Sequence, residues 1–251
     1  MTDLYTLTYK EVSRFLRVWK QTLLPPVITT VLYLAIFGKF IGDRISVIEG
    51  HSYIDFIFPG LLMMSVIMAS YSNTSSSFFG AKFQKSIEEL FVSPIAHWKI
   101  LAWFSIWAVL RALIVAGCVF IVGALMTDIH IEHMGLALVF VVLTALLFAF
   151  LGLYNALFAK SFDDISIIPT FLITPMTYLG GVFYPISVLW EPWQFISQFN
   201  PILYMVNGLR YSFISVSDID IWISLGMLLV FNIAFIIVLL QLLKRGYGIR
   251  S

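Results

Sequence analysis

The stretch MGLALVFVVLTALLFAFLGLYNALFA, Met134 to Ala159, contains no charged side chain. An apolar run of about 18 residues or more is long enough, as a helix, to cross the roughly 30 Å hydrocarbon core of a bilayer. Working outward, the run is preceded by a polar segment, Thr127 to His133, which holds Asp128, His130, Glu132 and His133 but no lysine or arginine. Before that lies another apolar run within Trp98 to Met126. After Ala159 a single lysine, Lys160, leads into Ile165 to Tyr184, which is interrupted by Pro169 and Pro175 and closes in Gly180-Gly181. Two further runs, Leu23 to Ile41 and Phe56 to Phe79, lie upstream, and Ile221 to Leu243 lies near the end. The pattern predicts an all-α membrane protein of six transmembrane helices.

Composition agrees. Apolar residues make up 60% of the 251-residue chain and charged residues 12%, with a mean hydropathy of +0.95. Soluble domains carry roughly 25% charged residues, so a soluble fold would lack the polar surface to cover itself. A net charge of +1 gives no drive for counterion release from phosphates, which argues against a nucleic-acid partner. Cys118 is the only cysteine and stands in an apolar run, where it reads as a small buried hydrophobe; no intrachain disulfide or Cys-based metal site follows. His130 and His133 are three apart beside acids, but in a short polar loop the solvated reading is favoured over a metal site. The chain has no G-x-x-x-x-G-K-[ST], no H-E-x-x-H and no G-x-S-x-G. Neither a cofactor nor an enzyme is expected.

The N-terminal residues, 1–22, read as an amphipathic interfacial helix. Leu4, Val12, Phe15, Leu16 and Trp19 share one face of the wheel, with Lys10, Arg14, Arg17 and Lys20 opposite, placing the bases near anionic headgroups. Pro25-Pro26 is expected to open the first span, where early proline is tolerated. Residues 23–251 then form one transmembrane domain. Its second span has a polar, small-residue half (Ser70, Ser72, Asn73, Thr74, Ser75, Ser76, Ser77) that is expected to face protein or a cavity rather than lipid. Pro185 to Asp220 is too broken for a clean span and too apolar for a free loop. It reads as a re-entrant or interfacial pair of short helices before the last span.

Eleven lysines and arginines fall on one side: Lys10, Arg14, Arg17, Lys20, Lys82, Lys85, Lys99, Lys160, Lys244, Arg245 and Arg250. Lys39, Arg44 and Arg210 fall on the other, and Arg111 within a span. The bias assigns the first side, with both termini, to the cytoplasm. Arg111 lies more than ten residues into the third span, roughly 18 Å from its cytoplasmic end if helical. At that depth it must face the bundle interior, a hydrated cavity or a carboxylate. It either lines a pathway or helix contact, or snorkels or pairs structurally.

The cytoplasmic segment Ala81 to Pro94 combines Lys82 and Lys85 with Glu88 and Glu89, giving i,i+3 and i,i+4 pairs, and with an apolar side of Ile87, Leu90 and Phe91. Such a short amphipathic helix either lies on the membrane or offers a knob to a soluble partner. The run Phe83-Gln84-Lys85-Ser86-Ile87-Glu88-Glu89-Leu90-Phe91-Val92-Ser93-Pro94-Ile95 resembles the cytoplasmic loop of ABC-2 type transporter permeases. Asn200-Pro201-Ile202-Leu203-Tyr204 with Gly208-Leu209-Arg210 resembles the late signature of the same family. Phe162-Asp163-Asp164 leading to Gly180-Gly181-Val182-Phe183-Tyr184 adds a third match, and together they are similar to the bacterial YadH-like and NodJ-like subgroup. One departure is Leu189-Trp190-Glu191-Pro192, where many relatives carry a Leu-Pro step.

The resemblance implies the ABC-2 exporter fold: one half of an exporter in the bacterial inner membrane, working as a homodimer with a separate ABC ATP-binding subunit. Lys85, Glu88, Glu89, Leu90, Phe91 and Pro94 would belong to the coupling helix that contacts the ATPase. Gly180, Gly181, Asn200, Pro201 and Arg210 would belong to the re-entrant outer loop, and Arg111 and Asn73 to the pathway or a helix contact. The expected cargo is amphipathic, lipid-linked or drug-like. The alternatives are an ion-coupled secondary transporter, disfavoured because Arg111 is the one deep charge and no internal repeat is evident, and a non-transporting scaffold or intramembrane enzyme.

Overall fold

The computed structural model describes residues 11, 13–41, 48, 50–87, 95–127 and 129–246, with the side chains of residues 38–41 left aside. In chain order its helices are α1 (Trp19–Tyr33), which continues as a π-helix over Leu34–Ile41, α2 (Tyr53–Phe83), α3 (His97–Met126) and α4 (Met134–Phe158). Next come α5 (Phe162–Ile168), a π turn over Pro169–Ile173, α6 (Thr174–Leu179), a 3-10 turn over Ile186–Val188, α7 (Glu191–Gln198), α8 (Pro201–Ile214) and α9 (Ile221–Lys244).

Five of these helices are long and apolar enough to cross a membrane among the described residues: α1 with its extension, α2, α3, α4 and α9. The expected fifth span is not one helix. Residues 162–179 run as α5, a π turn and α6 in series, because Pro169 and Pro175 each remove an amide that a regular helix would need. The Pro169 carbonyl accepts from the Thr174 amide and also, at 2.8 Å, from the Thr174 hydroxyl.

At the centre, α2 packs most extensively on α4 and then on α3. Gly152 explains the close approach of α2 to α4: a Cβ there would lie 2.6 Å from the Tyr71 carbonyl oxygen. Ser70, Asn73, Thr74, Ser75 and Ser77 are buried, as their small, hydroxylated character predicts, whereas Ser72 and Ser76 are exposed on the remaining side of the helix. Buried Ser65, Ser70 and Thr74 donate back to carbonyls one turn earlier, so hydroxyls can be buried there without orphaned donors. By contrast α1, α3 and α9 turn long apolar side chains outward, among them Ile28, Leu32, Ile114, Ile121, Ile233 and Ile237. These outward faces are ones a bilayer would solvate.

The N-terminal region differs from expectation. Residues 13–17 are helical, the chain bends at Val18, and α1 starts at Trp19, so Pro25 and Pro26 lie inside the helix rather than opening it. Packing of α1 on α3 carries the helix through the prolines. Leu16 and Trp19 point outward as the wheel expects. Arg14, however, turns with Glu11 toward α2 instead of standing on an open polar face with Arg17 and Lys20, because Asn73 and Ser77 of α2 offer them partners. The helix expected across Ala81 to Pro94 is also interrupted. α2 ends at Phe83, Lys85 takes a left-handed φ of 58°, and helical geometry resumes at Ser86 and Ile87. Residues 88–94 lie outside the described residues.

Candidate functional site: two arginine-centred clusters

Two arginines organise the polar interior. The first, Arg111, stands midway along α3. Its Nη1 donates to Asn73 Oδ1 at 3.1 Å and its Nη2 to Thr22 Oγ1 at 2.6 Å. Arg14 Nη2 donates to the same Asn73 Oδ1, and also to the Asn73 carbonyl, each at 3.1 Å. Glu11 lies 3.7 Å from Arg14 Nη1 and accepts from the Ser77 hydroxyl. The Thr22 hydroxyl in turn donates a hydrogen bond to the Val18 carbonyl at 3.0 Å, at the bend where the N-terminal segment meets α1. One amide on α2 thus joins the N-terminal segment to α3, and Arg111 joins both to α1.

The sequence singled out Arg111 and Asn73, and the fold brings them into direct contact. Thr22 and Glu11 were not foreseen; the i,i+3 spacing of Glu11 and Arg14 on one helical face is the signal that was available.

The second cluster centres on Arg210 of α8, which is 1% exposed. Its Nε donates to the Phe56 carbonyl at 3.3 Å, Nη2 donates to the Gly181 carbonyl, and Nη1 lies 3.5 Å from Asp218 Oδ2. The guanidinium also sits 3.8 Å from the centre of the Phe56 ring, a cation–π distance. Gly181 accepts the arginine from a tight corner at φ +71°, a conformation that a side chain disfavours. Gly180 is needed for space, since a Cβ would meet Ile202 at 2.9 Å. Asn200 caps α8 by accepting from the Ile202 amide at 3.0 Å and donates to the Met176 carbonyl at 2.5 Å, with Pro201 following in the first turn, where its missing amide costs nothing. Gly180, Gly181, Asn200, Pro201 and Arg210 therefore meet at one end of the molecule. Two partners were missed: Asp218, and Asn207, whose Oδ1 accepts from the Asp218 amide at 2.7 Å and so fixes the turn that presents the acid.

A third tie links the bundle to α5. Asn155 donates to the Tyr71 hydroxyl at 2.6 Å, and Tyr71 donates to the Ile165 carbonyl at 3.0 Å. At the start of α5, Asp164 accepts from the Lys160 and Ser161 amides in a capping box. These bonds hold its carboxyl below the usual carboxylate range. Among the described residues neither arginine cluster offers a nucleophile aligned with a base.

A family model described as ABC-2 type transporter matches residues 2–214, a range that includes both Arg111 and Arg210. The chain belongs to the ABC-2 type transporter family. Inner membrane transport permease YadH of Escherichia coli (strain K12) is 48% identical over 242 residues, covering 96% of this chain and 94% of its own. The protein of the same name from Shigella flexneri is equally similar. Nodulation protein J of Rhizobium leguminosarum bv. viciae is 25% identical over 90% of each chain. The YadH-like and NodJ-like resemblance of the sequence motifs is borne out.

For this ABC-2 chain, the segment resembling the family's cytoplasmic loop is described only at its start. Lys85 is exposed in the turn, while Glu88, Glu89, Leu90, Phe91 and Pro94 lie outside the described residues. Lys82 Nζ donates to the Leu157 and Ala159 carbonyls at 2.8 and 3.0 Å, capping the end of α4. Ile87, 2% exposed, tucks into an apolar cluster that includes Phe78, Phe104 and Leu153. Lys82 and Ile87 thus tie the described start of this segment to α2, α3 and α4.

Proposed function

We propose that this chain is the permease subunit of an ATP-driven exporter in a bacterial inner membrane, with ATP hydrolysed on a separate ABC subunit. The observation that carries the reading is membership of the ABC-2 transporter family in a chain without a P-loop of its own. In this reading the chain crosses the membrane six times, the run Ile165 to Tyr184 serving as the fifth crossing. Both termini are cytoplasmic, on the side where Lys and Arg concentrate. The pair α7 and α8 returns from the outer face as the re-entrant element, held by Arg210, Asn200 and the Gly180-Gly181 corner.

Two copies form the working transporter. The segment after Lys85, with Glu88 and Glu89 on its polar side and Leu90, Phe91 and Pro94 completing it, forms the coupling helix. Its rigid base at Lys82 and Ile87 supports that role, since a lever transmits motion only if its root is fixed. An amphipathic cargo, lipid-linked or drug-like, suits a bundle whose spans are largely apolar and whose polar face on α2 is mostly bonded to protein.

The test is a mild-detergent purification of the tagged chain from its native membrane, assayed for vanadate-sensitive ATPase activity and for companion chains. A P-loop subunit near one-to-one is the expected result. A lone chain without ATPase activity, under conditions that preserve known transporter complexes, would overturn the reading. In the intact complex, replacing Glu88 and Glu89 with lysine should uncouple hydrolysis from transport while membrane insertion is unchanged.

A further inference from the structure

The Arg111 cluster is under-neutralised. Two guanidinium groups, from Arg14 and Arg111, converge on one neutral amide oxygen, each 3.1 Å from it. Among the described residues the only carboxylate at the cluster is Glu11. It stands 3.7 Å from Arg14 rather than at hydrogen-bond distance, and the Ser77 hydroxyl donates to it. The buried Nε–H of Arg111 has no acceptor among the described residues. Placing like charges side by side in a partly desolvated site is costly unless an anion joins them.

The location says what that anion is. Thr22 lies in the first turn of α1, so its bond to Arg111 places the cluster level with the end of the first apolar helix. At that same level Trp19, Arg17 and Lys20 are exposed, the amphipathic residues found where hydrocarbon meets headgroups. Arg14 remains accessible, with 28% of its side chain exposed. A group arriving from the headgroup layer can therefore reach the pair.

We propose that Arg14 and Arg111, with Asn73 between them, form a phosphate-binding site at the bilayer boundary, filled by the headgroup phosphate of an anionic lipid. Planar guanidinium groups suit a phosphate because each presents two parallel N–H donors. Binding would exchange the shared Asn73 oxygen for phosphate oxygens and lock the N-terminal segment against α1, α2 and α3. The site is independent of which cargo is exported and of the ATPase pairing.

The test uses the full chain in mixed micelles, with native mass spectrometry reading retained lipid. Phosphatidylglycerol should be held in preference to phosphatidylcholine. Arg14→Gln should weaken retention about tenfold, the size of one charge-assisted hydrogen bond. Asn73→Asp supplies an internal counter-ion, so it should abolish retention while raising the melting temperature, which separates loss of binding from loss of fold. Arg17→Gln, which removes an exposed base of the same segment, should leave retention within about twofold, as expected for a screened surface charge. If inorganic phosphate competes at millimolar concentration, the same site takes the free anion as well. Equal retention by the wild type, Arg14→Gln and Asn73→Asp, with no effect of phosphate, would overturn the proposal.

Discussion

The two buried arginines make a natural pair for comparison. Arg210 is enclosed and saturated: two backbone carbonyls, a carboxylate and an aromatic face surround it, and each acceptor comes from a different segment. Arg111 is only partly buried and shares its neutral acceptor with a second cation. A saturated charge has one arrangement and serves as a clamp, while an under-neutralised pair can trade partners. The lesson is that depth in a membrane bundle does not by itself define an arginine's role. The count and charge of its acceptors do.

The largest test of that contrast is removal of the clamp. Arg210→Ala leaves Asp218 and two carbonyls without their donor, and should cost about 3–5 kcal/mol, the range for breaking a buried pair by removing one member. Denaturant titration in micelles would read it. Arg210→Lys should recover little, because one ammonium cannot span acceptors arranged for a guanidinium. An Arg111→Gln variant equally destabilised in the same titration would erase the distinction.

A change that tests whether the frame between the clusters is rigid comes next. Gly152→Ala places a methyl 2.6 Å from the Tyr71 carbonyl, against backbone that cannot swing aside. It should cost about 1–3 kcal/mol as overpacking at the α2–α4 seam. A neutral result would mean the seam yields, and the two arginines would then not be held on a fixed scaffold.

Smaller again is Arg111→Gln. Because its lost partners are neutral oxygens and Arg14 is relieved of a like charge, the cost should stay below about 1.5 kcal/mol. Its sharper readout is easier proteolysis within the N-terminal segment.

The smallest effect is expected at Asp164, whose carboxylate caps the start of α5. Its carboxyl lies below the usual range when folded, so its contribution is present above the unfolded value and fades as pH falls through the folded one. Asp164→Asn should therefore differ slightly from wild type at neutral pH and match it in strong acid. A difference that persists in acid would show that the ionised carboxylate is not its source, and no difference at any pH would leave the cap to the hydroxyl of Ser161.

Much of the fold was legible because a bilayer restricts the choices. An apolar run such as Met134 to Ala159 must satisfy its own backbone, and helix is the open-chain way to do so. The buried polar face of α2, the outward apolar faces of α1, α3 and α9, and the break in the chain at Pro169 and Pro175 all follow from local residue chemistry. Motif order was enough to place the chain in its family. Arg111 could be singled out as a charge too deep to be idle.

Sequence alone did not reveal partners, since hydrogen bonds across helices depend on distances that no local pattern encodes. Arg14 was assigned to the headgroups by its place on a helical wheel, yet it turns inward because Asn73, 59 positions away, offers an oxygen. Asp218, which no local pattern singles out, is set beside Arg210 by the fold and held there by Asn207. Residue identity determined which side chains needed a partner in a low-dielectric interior. Only tertiary packing, by bringing distant helices to hydrogen-bond distance, decided which partner each would have, and left Arg14 and Arg111 competing for one amide oxygen.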